Sequence, residues 1–337
     1  MAVFSSAPSV QPSWASPYSP LFRNGDIQTI VGRYWPSRLD EARRPTESKL
    51  FATEEDVQVL GKLNSGGGRA VLLAVHGLTA CSEAPYMLTL AQRALERGFD
   101  TVRLNVRNCG DTEHLCPTLY HSGLTVDLRH VVEALAPRPV FIAGFSMGGN
   151  MALKLAGEWG ETPPEHVLGV CGISPPIRLD ICSRRIGEFR NRVYEVRFLR
   201  QLRTAIRRKH GIMPHCPAPR FDGVDSIWAF DERFTAPSFG FDDAADYYNR
   251  CSAAGFLKSI RVPALVIQAE DDPFIPFDVF RHRAFDENPN LSLMAVPHGG
   301  HVAFLGRGAA RFWAEEQAIR FFESLLEVQA GDRSAPI

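Results

Sequence analysis

The chain has 337 residues, 45% of them hydrophobic and 22% charged, which is enough apolar content for a sizeable core and too little charge for wholesale disorder. Lys and Arg (37) balance Asp and Glu (38) to a formal net charge of -1, so a dedicated nucleic-acid binder is not expected. Seven cysteines without a CxxC pair suit free thiols in a reducing cytosol, and the uncharged stretch Pro139–Leu153 is too short to span a bilayer.

In chain order, residues 1–26 lack the basic and apolar regions of a secretory signal and carry Pro8, Pro12, Pro17 and Pro20. They read as an extended arm over the body, and residues 1–56 together as this arm and the first strands, in a chain expected to be cytoplasmic. Val57–Leu63 alternates like a strand, Gly66–Gly68 reads as a turn, and Ala70–Val75 is apolar on both faces, as a central strand of a parallel sheet requires. Helix over Tyr86–Arg97, strand over Thr101–Asn105, helix over Leu124–Leu135, strand over Pro139–Ala143, helix over Met147–Trp159 and strand over Val167–Ile173 follow. The rhythm resumes with strand Ala264–Ala269, helix Phe277–Phe285, strand Leu291–Val296 and helix Ala310–Leu326. Such βαβα alternation predicts an α/β fold, a mostly parallel central sheet flanked by helices, with 57–174 and 257–330 as its core.

The interruption, residues 175–256, is expected to be a helical lid inserted after the sixth strand. Between Arg184 and Lys209 stand nine Arg and one Lys against Glu188 and Glu195, with apolar residues at helical spacing. This basic amphipathic stretch is expected to pair with the acidic, aromatic half of the insert, to make peripheral contact with an anionic membrane, or to recognise an anionic substrate. Val196, Leu199 and Leu202 are expected to help line an apolar acyl tunnel, with Arg197 and Arg200 turned outward toward an anionic lipid surface or the acidic half of the insert.

The chemistry-bearing signal is Gly144-Phe145-Ser146-Met147-Gly148, weak alone but here set between a strand and an apolar-periodic helix, the context of a nucleophile elbow. A serine hydroxyl needs an adjacent base, and in this arrangement the partners follow in the order acid, then histidine. Glu270-Asp271-Asp272-Pro273 and His298-Gly299-Gly300-His301 each follow a strand. Asp272 is the expected acid with Asp271 as alternative, and His301 is the expected base, with His298 read as a loop residue holding a satisfied hydrogen bond. The turn His76-Gly77-Leu78-Thr79 follows the first buried strand, so the backbone N–H groups of Leu78 and Met147 are the expected oxyanion donors. His76, Tyr120, Val196 and Leu199 are candidate substrate contacts, although His76 reads more readily as structural. Cys109, His114, Cys116 and His121 are metal-capable but lack the close C-x2–4-C knuckle, so no metal and no cofactor are expected. They read instead as a loop beside the site, closed by Tyr120 and capped into the next helix by Ser122.

In these residues the chain resembles the YheT-like (AB hydrolase 4 type) branch of the α/β-hydrolase superfamily. The likeness rests on Asn24-Gly25-Asp26-Ile27-Gln28, His76-Gly77-Leu78, Asn105-Val106-Arg107, Leu119-Tyr120-His121-Ser122-Gly123 with Asp127, Gly144–Asn150, and Glu270–Pro273 with His298–His301. It implies hydrolysis of carboxylic esters, short-chain or lipid-derived, through an acyl-serine intermediate on a Ser-His-Asp triad, with a small-molecule ester as substrate. An acyltransferase on the same triad and a non-catalytic hydrolase-fold binding protein are the alternatives. Thr79 and Asn108 depart from the branch pattern, which often has glycine at both positions.

Overall fold

The computed structural model describes residues 3–4, 12–216, 218–308 and 311–334. Its nine described strands form one sheet, β1 (Val3–Phe4), β2 (Glu47–Glu54), β3 (Val57–Asn64), β4 (Val71–Val75), β5 (Asp100–Leu104), β6 (Val140–Phe145), β7 (Val167–Ile173), β8 (Ala264–Ala269) and β9 (Leu291–Val296). The order across the sheet is β1-β9-β8-β7-β6-β4-β5-β3-β2. β4 to β9 run parallel, whereas the β2–β3 hairpin and β1 are antiparallel additions at the two edges. Every residue of β4, β6 and β8 is buried, because helices cover both faces. On one face lie α3 (Val126–Leu135) and α4 (Met147–Trp159), packing Leu128, Val131, Met151 and Leu155 onto the sheet. On the other lie α2 (Pro85–Glu96) and α11 (Trp313–Ser334), packing Met87, Leu90, Trp313 and Phe322.

The expected strands and most expected helices are present, with shifts at their ends. The helix expected over Phe277–Phe285 is instead a 3-10 turn, Phe277–Phe280, and a short α10 (Ala284–Glu287). The His282 ring takes the Ala284 amide at 3.2 Å, starting a new turn where a continuous helix would have used a carbonyl. Ser122 does not cap α3, since its amide donates to the Tyr247 hydroxyl (2.9 Å) and the helix starts after Thr125. The last helix begins at Trp313, and Ala310 lies outside the described residues. So do residues 1–2 and 5–11 of the arm. From residue 12 onward the arm crosses α11: the Ser16 amide bonds Gln317 (2.9 Å) and the Trp313 indole donates to the Ser16 carbonyl (3.0 Å). Gly66–Gly68 form a nest, with all three amides on Asp100 Oδ1.

One helix escaped the periodicity reading. α1 (Gly25–Tyr34) is capped by Asn24, whose side chain accepts the Ile27 amide at 2.9 Å. Between β7 and β8 the chain forms α5 (Leu179–Ile186), α6 (Arg192–Ile212), α7 (Ile227–Phe230), a π-helical turn (Asp231–Thr235), α8 (Ala236–Ser238) and α9 (Ala244–Cys251). This helical insert covers the carboxyl ends of the parallel strands, the edge where ligands bind in open α/β sheets.

Candidate active site

Ser146 sits between β6 and α4 with φ 50 and ψ −119, a left-handed conformation held by the bond from its amide to the Ile173 carbonyl (2.8 Å). The turn is this tight because Gly144 and Gly148 lack a Cβ. One at Gly144 would overlap the Gly148 carbonyl, and one at Gly148 the Val75 carbonyl. The hydroxyl therefore stands at the N-terminus of α4, facing the cavity.

His301 Nε2 lies 2.9 Å from Ser146 Oγ, and His301 Nδ1 lies 2.8 Å from Asp272 Oδ2. The second Asp272 oxygen accepts the amides of Phe274 (2.8 Å) and Ile275 (3.1 Å), which fixes the carboxylate as the loop leaves β8. With Nδ1–H donated to Asp272, Nε2 is left to accept the serine proton. Asp271 points elsewhere. Its Oδ1 takes the Gly299 and Gly300 amides at 2.8 and 2.9 Å, and its Oδ2 meets His298 Nδ1 at 3.3 Å. Adjacent carboxylates thus divide the work: one meets the buried histidine, the other ties down the loop that carries it.

That loop is also held from α1. The His301 amide donates to Thr29 Oγ1 (2.8 Å), and buried Gln28 exchanges bonds with both backbone groups of Leu305 (2.8 and 3.1 Å). Thr29 and Gln28 were not singled out from the sequence for this part. The signal was the Asn24 cap, Asp26 in the first turn, and apolar Ile27, Ile30, Val31 and Tyr34 at helical spacing.

In the turn after β4, the Gly77 amide donates to the Tyr86 hydroxyl (3.1 Å) and the Thr79 amide to the Tyr120 hydroxyl (3.3 Å). Between them the Leu78 N–H has no acceptor among the described residues, and the Met147 N–H is an orphan donor at the start of α4. Thr79 adopts φ 57 and donates its hydroxyl to Gln201 Oε1 of α6 at 2.9 Å, so the insert grips the turn directly. A β-branched residue in the left-handed region is strained, and this bond helps to hold it there.

His76 does not line the cavity. Its Nδ1 engages the Gly77 carbonyl (2.8 Å) and its Nε2 accepts the Val106 amide (3.1 Å), while burial pushes its pKa down to about 4, so the ring is neutral. Tyr120 does line it. Val196 is exposed, and Leu199 is buried with Leu202, Ile206, Phe230 and Phe234 inside the insert, so neither reaches the cavity wall. Leu202 does reach it, and Arg197 turns toward the cavity rim and Tyr34 instead of away.

The four metal-capable residues diverge. Cys109 lies beside Tyr120, His114 is exposed, Cys116 contacts Asn108 and Thr118, and His121 is wedged edge-on among Phe239, Phe241 and Tyr247, with burial pushing its pKa down to about 3. No group of three or more His, Cys, Asp or Glu side chains converges as a metal site among the described residues. Ser146 and His301 open into a cavity of about 630 Å³ whose walls come from α1, the β4 turn, loop 119–122 and the insert, including Leu202, Ile206 and Phe230.

Residues 70–307 match the family described as the alpha/beta hydrolase fold. The chain is 32% identical to the Escherichia coli protein YheT, whose esterase description is provisional, covering 77% of this chain and 78% of that one. It is 30% identical to phospholipase ABHD3 of Homo sapiens over 70% of this chain, but spans only 59% of that longer relative. The Pyrococcus furiosus esterase Pf2001 shares the fold at a TM-score of 0.57 and 18% identity, covering 86% of this chain and 96% of that one.

Proposed function

The chain belongs to the α/β-hydrolase fold family, in its YheT-like branch, and on that premise we propose that it hydrolyses carboxylic esters through an acyl-Ser146 intermediate. The observation that carries the reading is the unbroken relay Asp272–His301–Ser146 on the floor of a largely apolar cavity. Ser146 Oγ attacks the ester carbonyl as its proton passes to His301 Nε2, and Asp272 stabilises the imidazolium. The carbonyl oxygen, now an oxyanion, is met by the N–H groups of Leu78 and Met147. Collapse breaks the bond to the alcohol, which leaves with the proton from His301. Water then repeats the sequence on the acyl-serine and releases the acid.

The apolar walls favour an ester with a hydrocarbon acyl chain, and residues 175–256 act as the lid that closes over it. The esterase and phospholipase descriptions of YheT and ABHD3 support the ester class. The test is covalent labelling by a fluorophosphonate together with turnover of p-nitrophenyl butyrate. Wild type should show both and Ser146→Ala neither; equal turnover by a folded Ser146→Ala would sink the proposal. Product analysis with added ethanol separates hydrolysis from acyl transfer to an alcohol.

A further inference from the structure

Outside the cavity mouth, two neighbouring helices present apolar side chains to solvent. α1 exposes Ile27 (45%), Ile30 (50%) and Tyr34 (72%), one stripe at helical spacing. The start of α6 and the turn before it expose Phe189 (96%), Val193 (81%) and Val196 (42%), a second stripe. The two elements lie side by side, since Tyr194 donates to Asp26 Oδ1 (3.0 Å), Arg190 meets Asp26 at 3.6 Å, and the Arg197 guanidinium lies over the Tyr34 ring at 6.0 Å.

Ile30, Tyr34 and Val193 belong to both the exposed stripes and the cavity wall. The surface therefore runs without a break into the space above Ser146. A Phe left almost wholly in water has no use in the fold itself, and grouped exposed apolar residues mark a docking site.

We infer that this apolar collar docks on a lipid bilayer surface, so that an ester substrate enters the cavity from the membrane and not from water. The entry step rests on the proposed ester hydrolysis; the docking does not. Charge decides between a bilayer and a second copy as occupant. Arg33, Arg190 and Arg197 stand on the rim against Asp26 alone, three positive groups to one negative, which complements anionic headgroups and repels an identical rim. Glu188, next to Phe189, is neutralised by Arg185 at 2.6 Å. No helix among the described residues is long and apolar enough to cross a membrane, so the contact is peripheral.

The basic character of α6 is not the anchor. Most arginines of α5 and α6 are engaged within the chain: Arg184 stacks on Trp228, Arg192 pairs with Glu195, Arg203 donates to the Val224 carbonyl, and Arg208 pairs with Asp111. Docking thus depends chiefly on the apolar stripes, with salt as a secondary influence.

The experiment is co-sedimentation of the full chain with phosphatidylcholine vesicles and with vesicles holding about one third phosphatidylserine, at low and high salt. Wild type should sediment with both, more strongly with the anionic vesicles at low salt. An Ile27→Ser, Phe189→Ser double variant should lower binding to both by about tenfold or more. Its turnover of soluble p-nitrophenyl acetate should stay at the wild-type rate, because neither residue lines the cavity. Wild type remaining in the supernatant of both, or a variant that sediments like wild type, overturns the inference. So does a concentration-dependent dimer that the double variant converts to monomer, since a second copy would then occupy the collar. Binding is read without turnover, so an inactive chain that still sediments would refute the ester reading and leave the docking standing.

Discussion

The parallel sheet and the helical insert are built by different chemistry. In the sheet, strands such as Val71–Val75 and Val140–Phe145 bury every side chain and pair through the backbone alone. In the insert, α6 buries Leu199, Leu202 and Ile206 on one side, while guanidinium groups stack on Trp228 and Phe221 or reach carboxylates and carbonyls. The sheet specifies position through non-directional burial along every strand. The insert specifies it through individual contacts that can be made or broken singly. The sheet side supplies Ser146, Asp272 and His301, which must not move, whereas the insert supplies walls and the hold on Thr79.

The comparison is sharpened most by substitutions on the sheet side. Ser146→Ala should lower kcat/KM for p-nitrophenyl butyrate by roughly 10⁴ or more, measured on protein whose circular dichroism matches wild type. Asp272→Asn should cost about 10³ to 10⁴, because the amide cannot stabilise the imidazolium. The neighbouring Asp271→Asn should cost less than about tenfold, since an amide oxygen still accepts the Gly299 and Gly300 amides. Equal losses at the two positions would erase the division of labour between them.

Smaller effects are expected where the insert and the loops touch the turn after β4. Tyr120→Phe strands the Thr79 amide and should reduce kcat about tenfold with KM little changed. Gln201→Ala, which removes the insert's hold on Thr79 and trims one side chain from the cavity wall, should reduce kcat about threefold. Steady-state kinetics on one soluble ester separates the two. A larger loss at Gln201 would make the insert, not the core, the principal support of the turn.

The smallest effect concerns protons. Burial pushes Asp231 in the insert up to about 6 and Glu315 beneath the sheet up to about 8. Each folded-state value lies above its unfolded one, so the folded chain holds extra protons in between. The corresponding stability is complete below about 4 and is lost as pH rises through 6 for Asp231 and through 8 for Glu315. Melting temperature should therefore fall from about pH 4, steeply up to about 6 while both groups contribute and more gently up to about 8 through Glu315 alone. Asp231→Asn should make the fall below pH 6 shallower, and Glu315→Gln should abolish the fall between 6 and 8; declines that persist in both variants would place their origin in other groups.

The sheet was legible because burial on both faces leaves a plain record, as in Ala70–Val75, and the elbow because its glycines are sterically required. The choice between Asp271 and Asp272 was not legible. Adjacent residues share every sequence context, and only the turn past Ala269 sends one side chain to His301 and the other to His298. The contacts of α6 failed for a related reason. Helical spacing tells which residues share a face, but not whether that face meets the cavity, as for Leu202, or the insert's own aromatic core, as for Leu199. Asn150 was quoted only as part of a motif. In the fold its side chain bonds the Ser122 and Cys251 carbonyls and the Ala253 amide, tying α4 to two loops far away in sequence.

The turn around Leu78 takes its shape from Tyr86 on α2, Tyr120 in the loop before α3, and Gln201 on α6. Its inheritance is therefore distributed. A recombinant that joined this core to another relative's insert would keep Ser146, Asp272 and His301 and still lose the partner of Thr79. Core and insert should accordingly behave in breeding experiments as one co-adapted unit. Selection for faster variants of such a hybrid should first recover substitutions at position 201 or at Thr79, ahead of any change at Ser146, Asp272 or His301.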